Sequence, residues 1–321
     1  MWEPKYVTLV SGESPCRGLD GLADGFMRWL GKERVRVHLL MGPSTEISEF
    51  EHFRPVYDWA RRQEEVTWRP EESEVLIIST RKVTDIYDWV AGFPFNCPVV
   101  SLDARDKPCD EIEVLTTMSP VQMSLKTELP LTLDVNALTL PCPYGFVVED
   151  AVEVKPYAER SLPVLFAAGE TNISRRAFAE AAQSIPGSRV IFKERVERKQ
   201  FLALLADAKV SIACYGAGFG SYRYLEIPAH GALLLAQPLP IFWPHNFRRD
   251  KEALFFTSPA EMVESVEWAL AHPVEAEAIV RAGTLKVMTH HLTTHRAQWV
   301  AQMVYAKCQQ WMANTTLSFP W

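Results

Sequence analysis

Several features that mark other classes of protein are missing from this sequence of 321 residues. No apolar run approaches the roughly 18 residues of a membrane-spanning helix, and the first residues lack the basic region, apolar stretch and cleavage site of a secretory signal. The six cysteines are scattered, with the closest pair twelve residues apart, so neither a C-x-x-C zinc site nor a disulfide framework is expected. These absences favour a cytoplasmic protein with reduced thiols.

Positive charge is scarce in the first half of the chain. Residues 1–150 carry 15 Lys and Arg against 25 Asp and Glu, a net charge of −10, whereas residues 151–321 carry 18 against 15, a net charge of +3. An acidic surface repels a polyanion, which argues against nucleic acid as the main partner. A mildly basic second half suits a small phosphorylated ligand.

What the sequence does contain is an alternation of strand and helix patterns over most of its length. This alternation, with 48% apolar residues and a length typical of about two domains, predicts two parallel α/β domains. Residues 146–160 are polar and aperiodic, which predicts a linker and a division into residues 1–150 and 151–321. The predicted strands are Tyr6–Ser11, Val35–Met41, Glu74–Ser79, Pro98–Leu102, Ile112–Thr116, Ala137–Leu140, Pro163–Ala168, Arg189–Lys193, Lys209–Ala213, Ala232–Ala236 and Glu252–Thr257.

Helices are predicted between these strands and at the C-terminal end. Ser119-Pro120-Val121-Gln122 has the N-cap serine, first-turn proline and glutamine that begin a helix. From Pro273 the pattern is helical almost to the end, with a break near Gly283. The other predicted helices are Leu19–Leu30, Val83–Val90, Ser174–Ser184, Arg198–Ala208, Ser221–His230 and Ser258–Ala271.

The segment Ser211–Gln237 combines a strand, a glycine-rich loop, a helix and a second strand in one βαβ unit. Glycines at 216, 218 and 220 let the backbone approach a ligand, and the helix that follows favours phosphate at its N-terminus. Arg223 suits a phosphate and Glu226 suits sugar hydroxyls. Because ligands of such sheets bind at the carboxyl ends of the strands, this pattern predicts a nucleotide-sugar site. A simple tight turn and a surface ion pair are the alternatives.

Further candidates lie at other predicted strand ends. Gly169 directly follows one predicted strand, and Tyr215 lies two residues after another. Cations near the ends of the first two strands of this half suit a leaving nucleoside diphosphate, with a solvated basic surface as the alternative. These cations are Arg175, Arg176, Lys193 and Arg195, of which Lys193 is preferred because it ends a strand. In the first half, Asp103 and Asp106 are candidates for the general base of an acceptor hydroxyl, or for structural caps.

A metal site is not predicted. His290, His291 and His295 have a spacing that hints at one, but no acidic residue completes an HExxH motif, so a polar tail helix is preferred. No cofactor is predicted either, apart from the nucleotide sugar as co-substrate.

Two motifs carry a resemblance to a known family. Ser221-Tyr222-Arg223-Tyr224-Leu225-Glu226, continued by Ala229-His230-Gly231-Ala232, resembles the S-x-R-x-x-E-x-x-x-x-G segment of the CgeB-like, spore-maturation-type glycosyltransferases. Asp103-Ala104-Arg105-Asp106 looks like the D-x-R-D strand end of their first domain, and the residues around Gly283 and His290–Arg296 look like their closing segment. The resemblance covers about residues 163–299, and the first half matches in layout and in this tetrapeptide.

This resemblance implies the GT-B fold, in which two Rossmann-like domains face each other across a cleft and a helical tail follows. It implies an acceptor at the first domain and a nucleotide diphosphate-sugar, of UDP or GDP type, at the second. Glu226 would hold the ribose hydroxyls, with Ser221 and Arg223 near the diphosphate, and Tyr222 between them is a further candidate for binding the donor. Retaining relatives often carry a second glutamate eight residues before this one, a position that is Gly218 here, so the stereochemistry stays open.

The expected activity is therefore metal-independent sugar transfer, of the hexosyltransferase type, to a small-molecule, glycan or protein acceptor. The glycine at 218 leaves a second interpretation open, a catalytically silent GT-B-like protein that binds a nucleotide sugar or a partner. A third interpretation is a sugar-nucleotide epimerase on the same architecture. A modifier of nucleic-acid bases is disfavoured by the acidic first half.

Overall fold

The structure is a computed structural model that describes residues 6–12, 36–42, 75–79, 99–103, 121–131, 139–146, 155–293 and 295–296. The chain divides into two compact units, one formed by Met1–Pro143 with Thr293–Trp321 and the other by Tyr144–Leu292. The domain bounds expected from the sequence, 1–150 and 151–321, and the cleft between the domains stay predictions.

The first unit contains a parallel sheet of six strands in the order β2-β1-β3-β4-β5-β6. The chain runs from β1 to the edge strand β2, then returns to the other side of β1 for β3 and its successors. This order is that of a doubly wound α/β sheet. The strands are β1 (Tyr6–Gly12), β2 (Arg36–Gly42), β3 (Val75–Ser79), β4 (Val99–Asp103), β5 (Val121–Lys126) and β6 (Thr139–Pro141).

Strand β5 lies where the sequence predicts the beginning of a helix, so that prediction is wrong. Apolar Val121, Met123 and Leu125 alternate with polar residues, which is the period of a strand, and β5 pairs with β4 and β6. This alternation outweighs the capping signal of the preceding serine and proline. The strand predicted at residues 112–116 and the helices predicted within residues 19–30 and 83–90 lie outside the described residues.

The second unit contains a parallel sheet of five strands in the order β11-β10-β9-β7-β8. The predicted strands and helices between residues 162 and 271 are confirmed, with ends that agree within two residues. The strands are β7 (Leu162–Ala168), β8 (Arg189–Phe192), β9 (Ala208–Ala213), β10 (Leu233–Ala236) and β11 (Leu254–Phe255). The described helices are α1 (Ser174–Gln183), α2 (Arg198–Asp207), α3 (Arg223–Ala229), α4 (Pro259–Ala271) and α5 (Pro273–His290).

Both faces of this second sheet are buried, which explains why its strands are nearly continuous apolar runs. On one face, Leu165 and Leu234 pack with side chains of α2 and α3. On the other face, Phe166, Leu233 and Leu235 pack with side chains of α1 and α4. The two layers of helices fix where the loops at the carboxyl ends of the strands lie.

Part of the predicted linker belongs to the second unit. Phe146 is buried and pairs with Leu292, and its N–H donates to the carbonyl of His291 at 2.7 Å. Arg160 is also buried, and its guanidinium donates to the carbonyls of Ala208 at 2.8 Å and His230 at 2.9 Å. Because these carbonyls follow α2 and α3, the arginine satisfies acceptors that a helix end leaves unpaired.

Helix α5 continues through Gly283, so the break predicted there is wrong. A Cβ atom at this position would lie 2.5 Å from the carbonyl oxygen of Glu252. The glycine is therefore required for the close packing of α5 on the loop before β11. Among the described residues, no helix is long and apolar enough to cross a membrane.

We expect Gly283→Ala to destabilise the protein. Alanine favours a helix by about 1 kcal/mol over glycine, but the clash with a backbone oxygen costs about 1–3 kcal/mol. Thermal unfolding should show a lower Tm than wild type. Gly169→Ala is the control, because a Cβ there meets nothing within 4 Å. A Gly283→Ala variant with the Tm of wild type or higher would show that the packing is looser than described.

Candidate functional site

The predicted site residues of the second unit gather at the carboxyl ends of its strands. The chain passes from β7 to the edge strand β8 and returns to β9, so the order of the strands reverses between β7 and β9. Ligands of doubly wound sheets bind in the crevice at such a reversal. The loops after β7, β8 and β9 and the start of α3 bring together Gly169, Lys193, Tyr215, Gly218, Gly220, Ser221, Tyr222, Arg223 and Glu226.

Arg175, in the first turn of α1, bridges the loops that follow β7 and β9. Its Nε donates to the carbonyl of Tyr215 at 2.6 Å and its Nη2 to that of Cys214 at 3.1 Å. Its Nη1 donates to the carbonyl of Gly169 at 2.9 Å and to Oγ1 of Thr171 at 2.8 Å. These four bonds give Arg175 the role of a clamp between two loops, while its predicted contact with phosphate stays a prediction.

Gly216, the first glycine of the loop, leaves space for the guanidinium of Arg175. A Cβ at Gly216 would lie 2.9 Å from Nη2 of Arg175, so a side chain here would push the guanidinium away. The Gly216 N–H donates to the carbonyl of Gly218 at 2.8 Å, and its carbonyl accepts from Nδ2 of Asn172 at 3.2 Å. The glycine is thus needed for contacts within the protein, independently of any ligand.

The adjacent arginines of α1 give a matched test of the clamp. Arg175→Met should lower the free energy of unfolding by at least about 2 kcal/mol, because it leaves several partly buried carbonyls without their charged donor. Arg176→Met should change it little, because Arg176 is exposed and its pair with Glu170 lies at the surface. Urea unfolding of both variants measures the difference. Equal effects of the two substitutions would contradict the clamp.

Lys193 takes part in an exposed ion network. Its Nζ lies 2.6 Å from Oε2 of Glu170, and the other oxygen of this carboxylate, Oε1, accepts from Arg176 at 2.8 Å. These two cations lower the pKa of the Glu170 carboxyl below its ordinary value. Lys193 has a φ of 67°, in the left-handed region, and this turn ends β8. The structure thus places Lys193 at the strand end, as predicted, with its ammonium held by a neighbouring loop.

Tyrosines join the glycine loop to its surroundings. The backbone N–H of Tyr215 donates to Oε1 of Gln237 at 2.8 Å, and its hydroxyl donates to the carbonyl of Pro238. The ring of Tyr222 packs on that of Tyr144, with 4.6 Å between centroids.

Among the described residues, Oγ of Ser221 is a buried atom without a hydrogen-bond partner. A buried hydroxyl of this kind has bonding capacity left for a ligand.

The carboxylate of Glu226 is shared by two arginines. Arg198 donates from Nη1 to one of its oxygens and Arg223 donates from Nη1 to the other. The Glu226 side chain is only 4% exposed, whereas that of Arg198 is 46% exposed and that of Arg223 is 32% exposed. The guanidinium of Arg223 also lies over the ring of Phe201, 3.9 Å from its centroid, as a cation–π contact.

These contacts keep the carboxylate ionised. Burial by itself would raise the pKa of Glu226, but the charges of Arg223 and Arg198 and their hydrogen bonds outweigh it and lower the pKa below its ordinary value. The sequence-based alternative, an ion pair between Arg223 and Glu226, is thus confirmed, although the carboxylate is buried. Arg198 was missed, because it is 28 residues away from its partner and no local spacing connects the two.

The shared carboxylate predicts a pH dependence. A carboxyl whose pKa is lower in the folded state stabilises the fold above its unfolded pKa, near 4.5, and this contribution is lost as the pH falls through the folded value. The difference in unfolding free energy between wild type and Glu226→Gln should therefore be largest near neutral pH and shrink below about pH 4.5. Denaturant unfolding of both proteins between pH 7 and pH 3 measures it. A difference that does not change with pH would contradict the ionised assignment.

The remaining predicted residues are placed only in part. Asp103 is the last residue of β4, at the carboxyl edge of the first sheet, and Asp106 lies outside the described residues. His291, predicted in a polar tail helix, is instead fully buried, and its Nε2 donates to the carbonyl of His245 at 3.1 Å. In the part of the chain that the structure describes, no group of three or more His, Cys, Asp or Glu is arranged to hold a metal ion.

Comparison with known proteins identifies a related family and a shared fold. Residues 168–302 match the model of a family described as glycosyl transferase-like. No curated protein matches the chain. The matched region begins at the end of β7 and includes the glycine loop, both arginines and Glu226.

Solved structures of glycosyltransferases share the fold over nearly the whole chain. Sucrose-phosphate synthase from Thermosynechococcus elongatus is 11% identical with a TM-score of 0.63, covering 96% of this chain and 100% of its own. An α-glucosyltransferase in complex with UDP and DNA is 8% identical with a TM-score of 0.59, covering 95% and 100%. HepE of Anabaena, in complex with UDP and glucose, is 10% identical with a TM-score of 0.55, covering 98% and 100%. The fold is thus the α/β fold of GT-B glycosyltransferases.

Proposed function

We propose that the protein is a glycosyltransferase that moves a sugar from a nucleotide diphosphate-sugar to an acceptor. The observation that carries this proposal is the match of residues 168–302 to a glycosyl transferase-like family. Two solved structures of similar fold, the α-glucosyltransferase and HepE, contain UDP, which supports a UDP-sugar as the first donor to test, with a GDP-sugar as the second. The CgeB-like subgroup and a cytoplasmic location are parts of the same proposal.

The site offers suitable chemistry for such a donor. Arg198 and Arg223 are partly exposed at the carboxyl edge of the sheet, and guanidinium groups bind diphosphate through paired hydrogen bonds. The hydroxyl of Ser221, at the end of the glycine loop, is available as a further donor. We propose that this edge of the second unit binds the nucleoside diphosphate part of the donor.

In the reaction, the bond between the sugar C1 and the diphosphate oxygen breaks, and an acceptor oxygen forms a new bond to C1. The acceptor proton passes to a general base, for which Asp103 and Asp106 are the proposed candidates. The negative charge that develops on the leaving diphosphate is stabilised by the two arginines, so that side chains supply the positive charge. This assignment makes the proposed reaction independent of a divalent metal.

A second candidate function is binding without transfer. At the position where retaining relatives often carry a sugar-binding glutamate, this chain has Gly218, which is buried and whose carbonyl accepts from the N–H of Gly216. No side chain can reach the donor sugar from there. A silent nucleotide-sugar-binding protein is favoured by this one observation.

The first experiment is a thermal-shift titration with UDP, GDP, dTDP, ADP and CDP. A ligand at 100 times its Kd stabilises the folded protein by about 2.7 kcal/mol, which is readily detected as a rise in Tm. We expect one of the diphosphates to exceed the others and so to identify the donor base. If none of the five raises the Tm, the proposal of a nucleotide-sugar site is wrong.

Incubation with donor sugars of the identified base then separates the candidate functions. A glycosyltransferase releases the nucleoside diphosphate as it transfers the sugar to an acceptor, or to water in slow donor hydrolysis. A silent protein binds the donor without releasing it. An epimerase converts the donor to its isomer with no acceptor present and no diphosphate released.

A further inference from the structure

We propose that the corner between helices α4 and α5 is a docking surface for a partner protein, and that it receives a segment in which Lys or Arg alternates with apolar residues. The surface is formed by Glu264, Glu267, Trp268, Val274 and Glu275, and we call it the corner surface. All five residues are exposed. The proposal concerns the binding of another protein, and it is independent of the sugar transfer proposed above.

The first argument is the sign of the charge around this corner. The second half of the chain has a net charge of +3, but residues 259–280 contain five glutamates and neither Lys nor Arg, a net charge of −5 with histidine neutral. Such a concentration of one sign attracts ligands of the opposite sign. An acidic stretch within a basic half of the chain therefore fits a cationic partner.

Most of these glutamates are not used by the fold. Glu261 accepts from the N–H and the hydroxyl of Thr257 at 2.7 Å and 2.8 Å, at the start of α4, and Glu277 pairs with Arg281 at 2.7 Å. The other three belong to the corner surface, and in the described part of the chain they have neither a hydrogen bond nor an ion pair. Their carboxylates can accept from a partner without breaking any contact of the fold.

Trp268 is an ordered aromatic anchor beside these carboxylates. It lies one turn after Glu264 on the same side of α4, and it is 37% exposed. Its ring stacks on that of His272, with 5.1 Å between centroids, and Nδ1 of His272 donates to the carbonyl of Trp268 at 2.8 Å. A side chain that is already ordered loses little freedom on binding, and tryptophan is the best aromatic partner of a Lys or Arg cation.

Val274 adds an exposed apolar contact at the same corner. It is 77% exposed in the first turn of α5, and only His272 separates α4 from α5. The ring of Trp268 and the methyl groups of Val274 thus offer apolar area, with carboxylates before and after them in the chain. Protein interfaces combine such anchors with a polar rim. Apolar residues of the partner would cover the ring and the valine, while its cations reach the carboxylates.

The corner surface lies away from the proposed donor site. Helix α4 follows β11 and covers the same face of the sheet as α1, and its 13 residues span about 20 Å. It begins at the carboxyl ends of the strands and runs back to their amino ends, where its last turn lies. The glycine loop is at the opposite edge of the sheet, so a bound partner leaves the donor site open.

Charge also decides between the possible occupants of the surface. Nucleic acid and anionic membranes are repelled by the carboxylates. A second copy of this chain would bring an acidic first half, which has a net charge of −10 over residues 1–150. A cationic segment of another protein is the occupant that these observations favour.

The test uses two synthetic amphipathic peptides as probes, one of Leu and Lys and one of Leu and Glu. Each is titrated by calorimetry into wild type and variants, at low salt and at about 150 mM salt. We expect wild type to bind only the Leu–Lys peptide, and more weakly at the higher salt. Glu264→Gln/Glu267→Gln and Trp268→Ala should each weaken this binding at least about fivefold, because they remove the charge and the anchor respectively.

Matched controls separate the corner surface from general charge and apolarity. Glu194→Gln/Glu197→Gln removes the same number of exposed carboxylates just before α2, which covers the other face of the sheet. Leu285→Ser removes a side chain that is 63% exposed on α5, three turns after Val274. Both controls should bind the Leu–Lys peptide as wild type does, whereas Val274→Ser should weaken the binding.

Other results overturn the proposal. Equal weakening by the two double glutamate variants would show that the peptide responds only to overall charge. No binding of the Leu–Lys peptide to wild type at millimolar concentration would contradict a cationic partner. Sedimentation of wild type tests self-association, and a dimer that Trp268→Ala dissociates would show that a second copy covers the surface instead. If Trp268→Ala does not fold, the comparison of Val274→Ser with Leu285→Ser decides.

Discussion

The hydrogen bonds of the Arg175 guanidinium are the interaction on which the rest of the site depends. At the carboxyl ends of parallel strands the backbone leaves the sheet, and its carbonyls need new donors. One side chain supplies them to both sides of the point where the strand order reverses. The loop after β9 is thereby held beside the loop after β7, and Gly216 is required because the guanidinium fills the space of a side chain. The glycine-rich loop is consequently a product of packing as well as a means of ligand approach.

A second interaction in the second unit determines the charge at the same carboxyl ends of the strands. Two arginines and one carboxylate form a group whose buried member is negative and whose exposed members are positive. Such a group presents cations to the solvent side while each of them keeps a partner in the protein. Arg175 fixes the shape of the backbone here, and Glu226 fixes the direction of the charge. Both roles belong to residues whose own charges are largely satisfied within the fold.

The sequence predicted those elements that are determined by residues close together in the chain. The strands β7, β9 and β10 were predictable because burial on both faces leaves a nearly continuous apolar run, interrupted in β9 by Lys209 and Ser211. Helix α4 was predictable because its N-cap is local, and Oγ of Ser258 indeed accepts from the N–H of Glu261 at 3.2 Å. The predictions failed where a distant partner decided the outcome. Gly283 was predicted to break a helix because the carbonyl of Glu252, which leaves no room for a side chain there, is distant in sequence.

The same limit applied to the candidate site. The glycine loop, Arg223 and Glu226 could be found because they are close in sequence and share a helix or the loop before it. The bond from Arg198 to Glu226 could not, because it connects two helices through a fold that must exist first. Likewise, the contacts of Arg175 with the two loops could not be predicted, because its partners, the carbonyls of Cys214 and Tyr215, leave no trace in the pattern of side chains.

Arg160 has a practical consequence for work with the second unit alone. Its guanidinium joins the carbonyls that directly follow α2 and α3, the two helices whose first residues are Arg198 and Arg223. A fragment that starts at the first residue of β7 would omit this arginine and also Phe146, and one that starts at residue 151, the division predicted from the sequence, would omit Phe146. Expression of the second unit by itself should therefore start at Tyr144, so that the contacts of Arg160 and Phe146 are retained.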